Sequence, residues 1–336
     1  MPDTNLRLGA SAARDPSVVV PTLIFLGGHG RSGSTVVERL LGELPGVCAA
    51  GEVVHLWQRG IALAERCGCG QPFPQCPFWQ RVGESAFGGW DKVDVKEISR
   101  LRAEVDRTRF IPRLARPRLP VAYQRALDDY LSYYMRVYTA IMEVSGCRVI
   151  VDASKHASLA FCLRRSSGLD LRVIHVVRDP RAVAYSWTTQ VSRPEVSGQS
   201  PQARDRMWTY PPARTAVHWN IQNGAMHLLA HVGTPVQLLR YEDIVRGPEA
   251  VLGEIASFAG LSDIATGFLG ADRTNRWAEL SVSHTVSGNP MRFSTGRIPI
   301  LGDERWRSAM PAAQSRAVTA LTLPLLTRYG YLRRPR

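Results

Sequence analysis

Short apolar runs recur along the chain, with longer and helically patterned stretches between them. The runs are Leu23–Leu26, Arg148–Asp152, Leu171–Val177 and Val236–Leu239. Short β-branched runs separated by helical patterns predict a parallel sheet covered on both faces. Helices are expected at Ser34–Leu44, which stops before Pro45-Gly46, and at His156–Arg165. Two more, Pro180–Gln190 and Pro248–Ala259, carry proline in the first turn. A long helical pattern covers Tyr123–Val144, where Leu127, Tyr130, Leu131, Tyr134 and Tyr138 read as core. A last helix, Ala312–Thr327, is interrupted by Pro324. Residues 85–118 are charged and rich in arginine and proline, and read as a surface excursion or lid. Residues 191–212 carry Pro194, Pro201, Pro211 and Pro212 and read as a loop.

The first run is followed at once by a turn of unusual composition. Leu23–Thr35 reads Leu-Ile-Phe-Leu-Gly-Gly-His-Gly-Arg-Ser-Gly-Ser-Thr, a strand entering a glycine-rich loop that opens a helix. In such a layout backbone N–H groups and a helix N-terminus cradle a phosphate. Gly28 to Thr35 fits G-x-x-x-x-G-x-[ST], but Ser34 stands where a nucleotide-triphosphate loop has lysine. The base has moved to Arg31, which argues for a phosphate-bearing ligand and against ordinary ATP hydrolysis. The expected fold class is therefore α/β, a P-loop-like three-layer α/β/α domain with a central parallel sheet. A flexible leader at 1–20 would precede a single domain at 21–332, with an insertion or lid at about 80–145.

Three further segments carry candidate chemistry. In Val176-Val-Arg178-Asp-Pro-Arg181-Ala-Val-Ala-Tyr-Ser186-Trp187 a strand ends in arginine and proline starts a helix. Arg178 then stands at the sheet's C-terminal edge, where open α/β folds bind ligands, and can grip a phosphate bidentately with Ser186 beside it. The competing assignment is a structural ion pair of Arg178 with Asp179. In Val151-Asp152-Ala-Ser154-Lys155-His156, Asp152 reads as a buried hydrogen-bond acceptor and Lys155 as a sheet-edge cation or a solvated helix-start lysine. Ser287-Gly288-Asn289-Pro290-Met291-Arg292-Phe293 is a turn that either lies on the surface or closes over a nucleotide.

Composition narrows the partners. The net charge is +13, with three lysines (Lys92, Lys96 and Lys155) against 39 arginines. A basic chain attracts anionic ligands. Nucleic acid is not expected, because zinc-finger spacing, an RNA-recognition aromatic signature and a dense basic tail are all missing. Arg333-Arg334-Pro335-Arg336 reads as a frayed end. No apolar run approaches the roughly 18–20 residues of a membrane span, and residues 1–20 hold no apolar signal core, so the cytoplasm is the default location. Oligomeric state leaves no mark in the sequence. Cys67, Cys69 and Cys76 cluster in Cys67-Gly-Cys69-Gly-Gln-Pro-Phe-Pro-Gln-Cys76-Pro. They form an ordered reduced loop, a disulfide from Cys76 to one of the others, or three zinc ligands with His55 as a distant fourth.

Taken together the motifs resemble the sulfotransferases that use 3′-phosphoadenosine 5′-phosphosulfate (PAPS). Gly30-Arg31-Ser32-Gly33-Ser34-Thr35 looks like that family's 5′-phosphosulfate loop, in the arginine form of the Golgi carbohydrate branch and its bacterial relatives. Arg178 and Ser186, eight residues apart, resemble the 3′-phosphate motif. Tyr241-Glu242-Asp243 matches a recurrent segment, and Gly288–Arg292 looks like the segment that closes over the nucleotide. The resemblance runs from about Leu23 to Trp306, with nothing matching in 80–145. It implies PAPS as co-substrate, a hydroxyl (less readily amine) acceptor, and in-line sulfuryl transfer with no metal required. Gly30 to Thr35, Arg178, Ser186, Asn289 and Arg292 would bind the nucleotide, and Arg31 and Lys155 would steady the reacting charge.

A general base must take the acceptor's proton. Glu52 is the first choice, because the resemblance places an acidic base in this region, and His156 is the second, with the better intrinsic pKa. Two rivals remain: a nucleotide kinase or NTPase with Asp152 on magnesium, and a non-catalytic nucleotide-binding protein. The acceptor pocket is expected from residues 53–145 and 191–215, whose aromatics include Trp57, Tyr123, Tyr134, Trp187, Trp208 and Tyr210.

Overall fold

Leu23 and Phe25 point to one side of the first strand, Ile24 and Leu26 to the other, and all four are fully buried. That alternation requires a sheet covered on both faces. A computed structural model of the protein describes residues 20–191, 208–262, 264–272 and 275–332. Residues 1–19, most of the 191–212 loop and Arg333–Arg336 lie outside the described residues.

The strands are β1 (Thr22–Gly28), β2 (Val47–Gly51), β3 (Val149–Lys155), β4 (Asp170–Val177) and β5 (Val236–Arg240). All pair in parallel, in the order β2-β3-β1-β4-β5. Helices Pro77–Phe87, Val95–Val105, Val121–Ser145 and Ala157–Leu163 share a core with Leu23 and Phe25. Helices Ser34–Leu41 and Pro248–Ala259 pack on Ile24 and Leu26. The expected α/β/α sandwich is thus present. β3 and β4 flank β1, so the chain changes direction across the sheet at β1, and the crevice at the C-terminal ends of these strands opens there.

The structure departs from the sequence pattern in four places. β2, Val-Cys-Ala-Ala-Gly, is too small and weakly branched to register as a strand. Residues 85–118 are not a surface excursion: Ile98, Leu101, Val105, Ile111 and Leu114 are buried in the main core. Their three- and four-residue spacing was masked by the arginines on the solvent side, and Asp94 caps the helix by accepting from the Lys96 and Glu97 N–H groups. A second, antiparallel sheet of Leu269–Ala271, Arg276–Leu280 and Gly296–Pro299 flanks the first. Pro324 does not break the last helix, which runs Ala312–Arg328.

Candidate active site

The glycine-rich loop has its shape for steric reasons. Gly28 has φ 131°, and a Cβ there would stand 2.3 Å from the Val176 carbonyl oxygen. Gly33 has φ 89°, and its Cβ would stand 2.1 Å from a Tyr241 ring carbon. Only glycine fits either place. Helix Ser34–Leu41 starts directly after Gly33 with no side-chain cap. Its first N–H groups and the positive end of its dipole are therefore left for a ligand.

The loop forms one wall of a cavity of about 530 Å³, within the usual size range for a small-molecule site. Arg31, Arg59, Lys155 and Arg178 line it, and Glu52 is the one carboxylate among the lining residues. Four cations against one anion suit a polyanionic ligand. Arg31 and Lys155 are non-glycine residues at positive φ, 70° and 67°. Ser287, at φ 57°, accepts a 2.8 Å hydrogen bond from Arg59 at the wall. Such strain concentrates where side chains are held for function.

Glu52 and Lys155 sit at the centre. Lys155 Nζ donates to Glu52 Oε1 at 2.5 Å and to the Ala153 carbonyl at 2.8 Å. His55 Nε2 is 3.4 Å from the other Glu52 oxygen. Burial pushes the Glu52 carboxyl up, but Lys155, Arg59 and His156 outweigh it and hold the group below the ordinary glutamate value. Glu52 is therefore unprotonated at neutral pH. His156 is exposed, with the charges of Asp106, Arg102, Glu52 and Lys155 around it. Its ring reaches the cavity, 5.9 Å from that of His55.

Arg178 lines the same cavity and reaches the loop itself. Its guanidinium lies over the Tyr241 ring at 4.9 Å and donates to the carbonyls of Asp303 (2.9 Å) and Arg31 (3.3 Å). Asp179 does not neutralise it. Asp179 holds Arg181 at 2.6 and 2.9 Å and caps its own helix, so the nearest carboxylate to Arg178 is Asp303 at 3.9 Å. Ser186 and Trp187 also line the cavity, and Trp187 lies under the Arg31 guanidinium at 5.2 Å. Tyr241-Glu242-Asp243 supports this wall: Tyr241 packs on Gly33 and Arg178, and Glu242 accepts from the Asp179 N–H and the Tyr331 hydroxyl.

Other expected residues stand differently. Arg292 is buried and does not line the cavity; it donates to the carbonyls of Thr285 (2.7 Å) and Arg66 (2.5 Å) and stiffens the segment from beneath. Gly288, Asn289 and Met291 reach the cavity instead. The Asn289 side chain is engaged in accepting from the Met291 N–H. Ser32 is buried in the loop with its hydroxyl out of the cavity lining. Asp152 is fully buried and accepts from Tyr138, Ser154 and the Val53 N–H. It fixes the strand ends that carry Glu52 and Lys155, and is not placed to hold magnesium in the cavity.

Comparison with known proteins decides the family. A family model described as the sulfotransferase domain matches residues 21–330. The chain belongs to the sulfotransferase family. Mouse carbohydrate sulfotransferase 3 is 27% identical over 174 residues, 48% of this chain and 34% of that protein. Mouse carbohydrate sulfotransferase 5 is 26% identical, over 48% of this chain and 42% of that protein. The match thus spans well under half the length of these relatives. Among solved structures, the sulfotransferase domain of the Synechococcus PCC 7002 olefin synthase is 21% identical with a TM-score of 0.48, covering 93% of this chain and 97% of that one. The sulfotransferase domain from the curacin biosynthetic pathway is 15% identical with a TM-score of 0.43, over 91% and 99% of the two chains.

This sulfotransferase-family cavity also holds residues the sequence motifs did not point to. His55 and Arg59 follow Glu52 on the next turns of chain, and His218 and Gln222 face it from helix Pro212–His231. Their one sequence signal is four-residue spacing, His55 to Arg59 and His218 to Gln222, which places each pair on one helix face. Behind the loop, the buried Glu38 accepts from the Gly51 N–H at 2.6 Å. Burial pushes its carboxyl up to about 8, with Lys155 opposing. A raised folded-state pKa stabilises below the unfolded value of 4.5 and loses that contribution as pH rises to about 8. The melting temperature should therefore fall across this window, and Glu38→Gln should flatten the fall. Parallel slopes for the two proteins would show that Glu38 does not titrate there.

Proposed function

We propose that this protein transfers a sulfuryl group from PAPS to the hydroxyl of a small-molecule or carbohydrate acceptor. The observation that carries this reading is that one cation-rich cavity is lined by the open helix N-terminus, Arg31, Lys155, Arg178 and Ser186 together. The loop end receives the 5′-phosphosulfate, and the Arg178 end receives the 3′-phosphate that separates PAPS from ATP. The acceptor oxygen attacks sulfur in line, and the bond from sulfur to the bridging phosphate oxygen breaks. Adenosine 3′,5′-bisphosphate leaves with the bond's electrons, and the acceptor's proton passes to Glu52.

Glu52 is the base and Lys155 its regulator. Lys155 bonds Glu52 in this structure, and a bound phosphosulfate competes for the same ammonium. Drawn to the sulfuryl and leaving oxygens, Lys155 stabilises the developing charge and leaves Glu52 more basic. His156 is the alternative base. The transferred group needs no metal, and a cytoplasmic site of action agrees with the fact that no helix among the described residues is long and apolar enough to cross a membrane.

Incubation of the protein with PAPS and panels of sugars, phenols and lipid-linked alcohols, read by mass spectrometry, tests the reaction. The expected result is an acceptor heavier by one sulfuryl group, with adenosine 3′,5′-bisphosphate formed in equal amount. Tight binding of that nucleotide with no transfer to any acceptor would favour a non-catalytic protein. Arg178→Ala should weaken adenosine 3′,5′-bisphosphate by about 10- to 100-fold in a calorimetric titration, the loss of a charge-assisted phosphate contact. Unchanged affinity would remove Arg178 from the 3′-phosphate site.

A further inference from the structure

Away from the cavity the fold gathers a second set of reactive side chains. Cys67, Cys69 and Cys76 from one loop meet His284 from a segment more than two hundred residues later, with all four ligand atoms within 4.8 Å of one another. Cys69 Sγ lies 3.7 Å from Cys76 Sγ. His284 Nδ1 lies 3.3 Å from Cys76 Sγ and 3.9 Å from Cys67 Sγ. A disulfide needs a sulfur–sulfur distance of about 2.05 Å, so these thiols are grouped and unbridged. Zinc bonds of about 2.3 Å to sulfur and about 2.0 Å to nitrogen, set in a tetrahedron, give sulfur–sulfur edges of about 3.8 Å and sulfur–nitrogen edges of about 3.5 Å. The observed spacings straddle those edges.

We propose that Cys67, Cys69, Cys76 and His284 form a structural zinc site that staples the 66–76 loop to the 284–292 segment. His284, not His55, is the fourth ligand; His55 lies in the cavity beside Glu52. The imidazole is held for the task. It stacks on Phe78 at 5.1 Å, and Trp79 Nε1 donates to the His284 carbonyl at 2.7 Å. Backbone bonds from Gly68 to Thr285 and from Gly70 to Cys67 fold the loop around the ligands.

Four protein ligands close a zinc site, leaving no position for substrate, so its role is to hold structure. What it holds is the cavity's far lip. The stapled segment runs through Ser287, bonded to Arg59, to Gly288 and Asn289 in the lining. This inference stands whether or not the cavity transfers sulfuryl groups.

The full chain, expressed in zinc-supplemented medium and purified without chelators, tests it by elemental mass spectrometry. About one zinc per chain is expected in the wild type and in Cys147→Ser, falling about tenfold or more in Cys69→Ser and in His284→Ala. Because a lost ligand can also unfold the chain, an unaltered protein grown on cobalt supplies a second reading. Thiolate-to-cobalt charge-transfer bands with tetrahedral visible bands are expected. Wild-type protein without stoichiometric metal, iron in place of zinc, equal zinc in the ligand variants, or a disulfide among Cys67, Cys69 and Cys76 in the non-reduced peptide map would each overturn the proposal.

Discussion

Arg31→Ala lowers kcat for sulfuryl transfer by about 100- to 1,000-fold, the loss of one preorganised group aimed at developing charge, while leaving the affinity for adenosine 3′,5′-bisphosphate nearly unchanged. The asymmetry follows from where Arg31 stands. Its backbone is held at φ 70° inside the loop, and its guanidinium rests over Trp187 beside the cavity's single carboxylate. On the proposed function the nucleotide product retains both phosphates, which the helix N-terminus and Arg178 would hold, but has lost the sulfuryl oxygens that Arg31 would meet. Initial rates and calorimetry on the same preparation read the two effects. A parallel fall in affinity and rate would make Arg31 a nucleotide anchor rather than a transfer residue.

Glu52→Gln is expected to lower kcat by about 100- to 10,000-fold, the range for removal of a general base, with His156→Ala costing much less. Glutamine keeps the size of the side chain and can still accept from Lys155, so the loss isolates proton acceptance. Lys155, Arg59 and His156 hold the Glu52 carboxyl below the ordinary glutamate value despite its burial. A base must be deprotonated to act, and a lowered pKa keeps it so to lower pH. The rising limb of kcat/KM against pH should accordingly lie below the ordinary glutamate value of 4.5. Near-normal turnover in Glu52→Gln together with its loss in His156→Ala would reverse the assignment of the base.

The parts of this protein that were legible in its sequence are those where one residue type is required by local geometry. Leu23–Leu26 before a glycine-rich turn announces a strand, a loop and an uncapped helix start because nothing else fits Gly28 and Gly33. Arg178, at a strand end followed by Pro180, is placed by the same kind of local pattern and lines the cavity. Pairings fixed only by tertiary packing were not legible. Asp179 could have neutralised Arg178, and the fold gives it to Arg181. Arg292 carries the charge a nucleotide clamp needs, yet it is buried against the carbonyls of Thr285 and Arg66. The helix at 95–105 shows its apolar face at Ile98, Leu101 and Val105, but the arginines around it dominated the local composition. His284 lies 208 residues from Cys76, so no local spacing could have joined them.

The most direct test of the two-ended cavity is a calorimetric titration of the protein with adenosine 3′,5′-bisphosphate and, separately, with AMP, which lacks the 3′-phosphate. Affinity for the bisphosphate should be about tenfold or more above that for AMP, with no requirement for magnesium, as one charge-assisted phosphate contact dictates. Equal affinities for the two nucleotides, or binding only of ATP with magnesium, would contradict it.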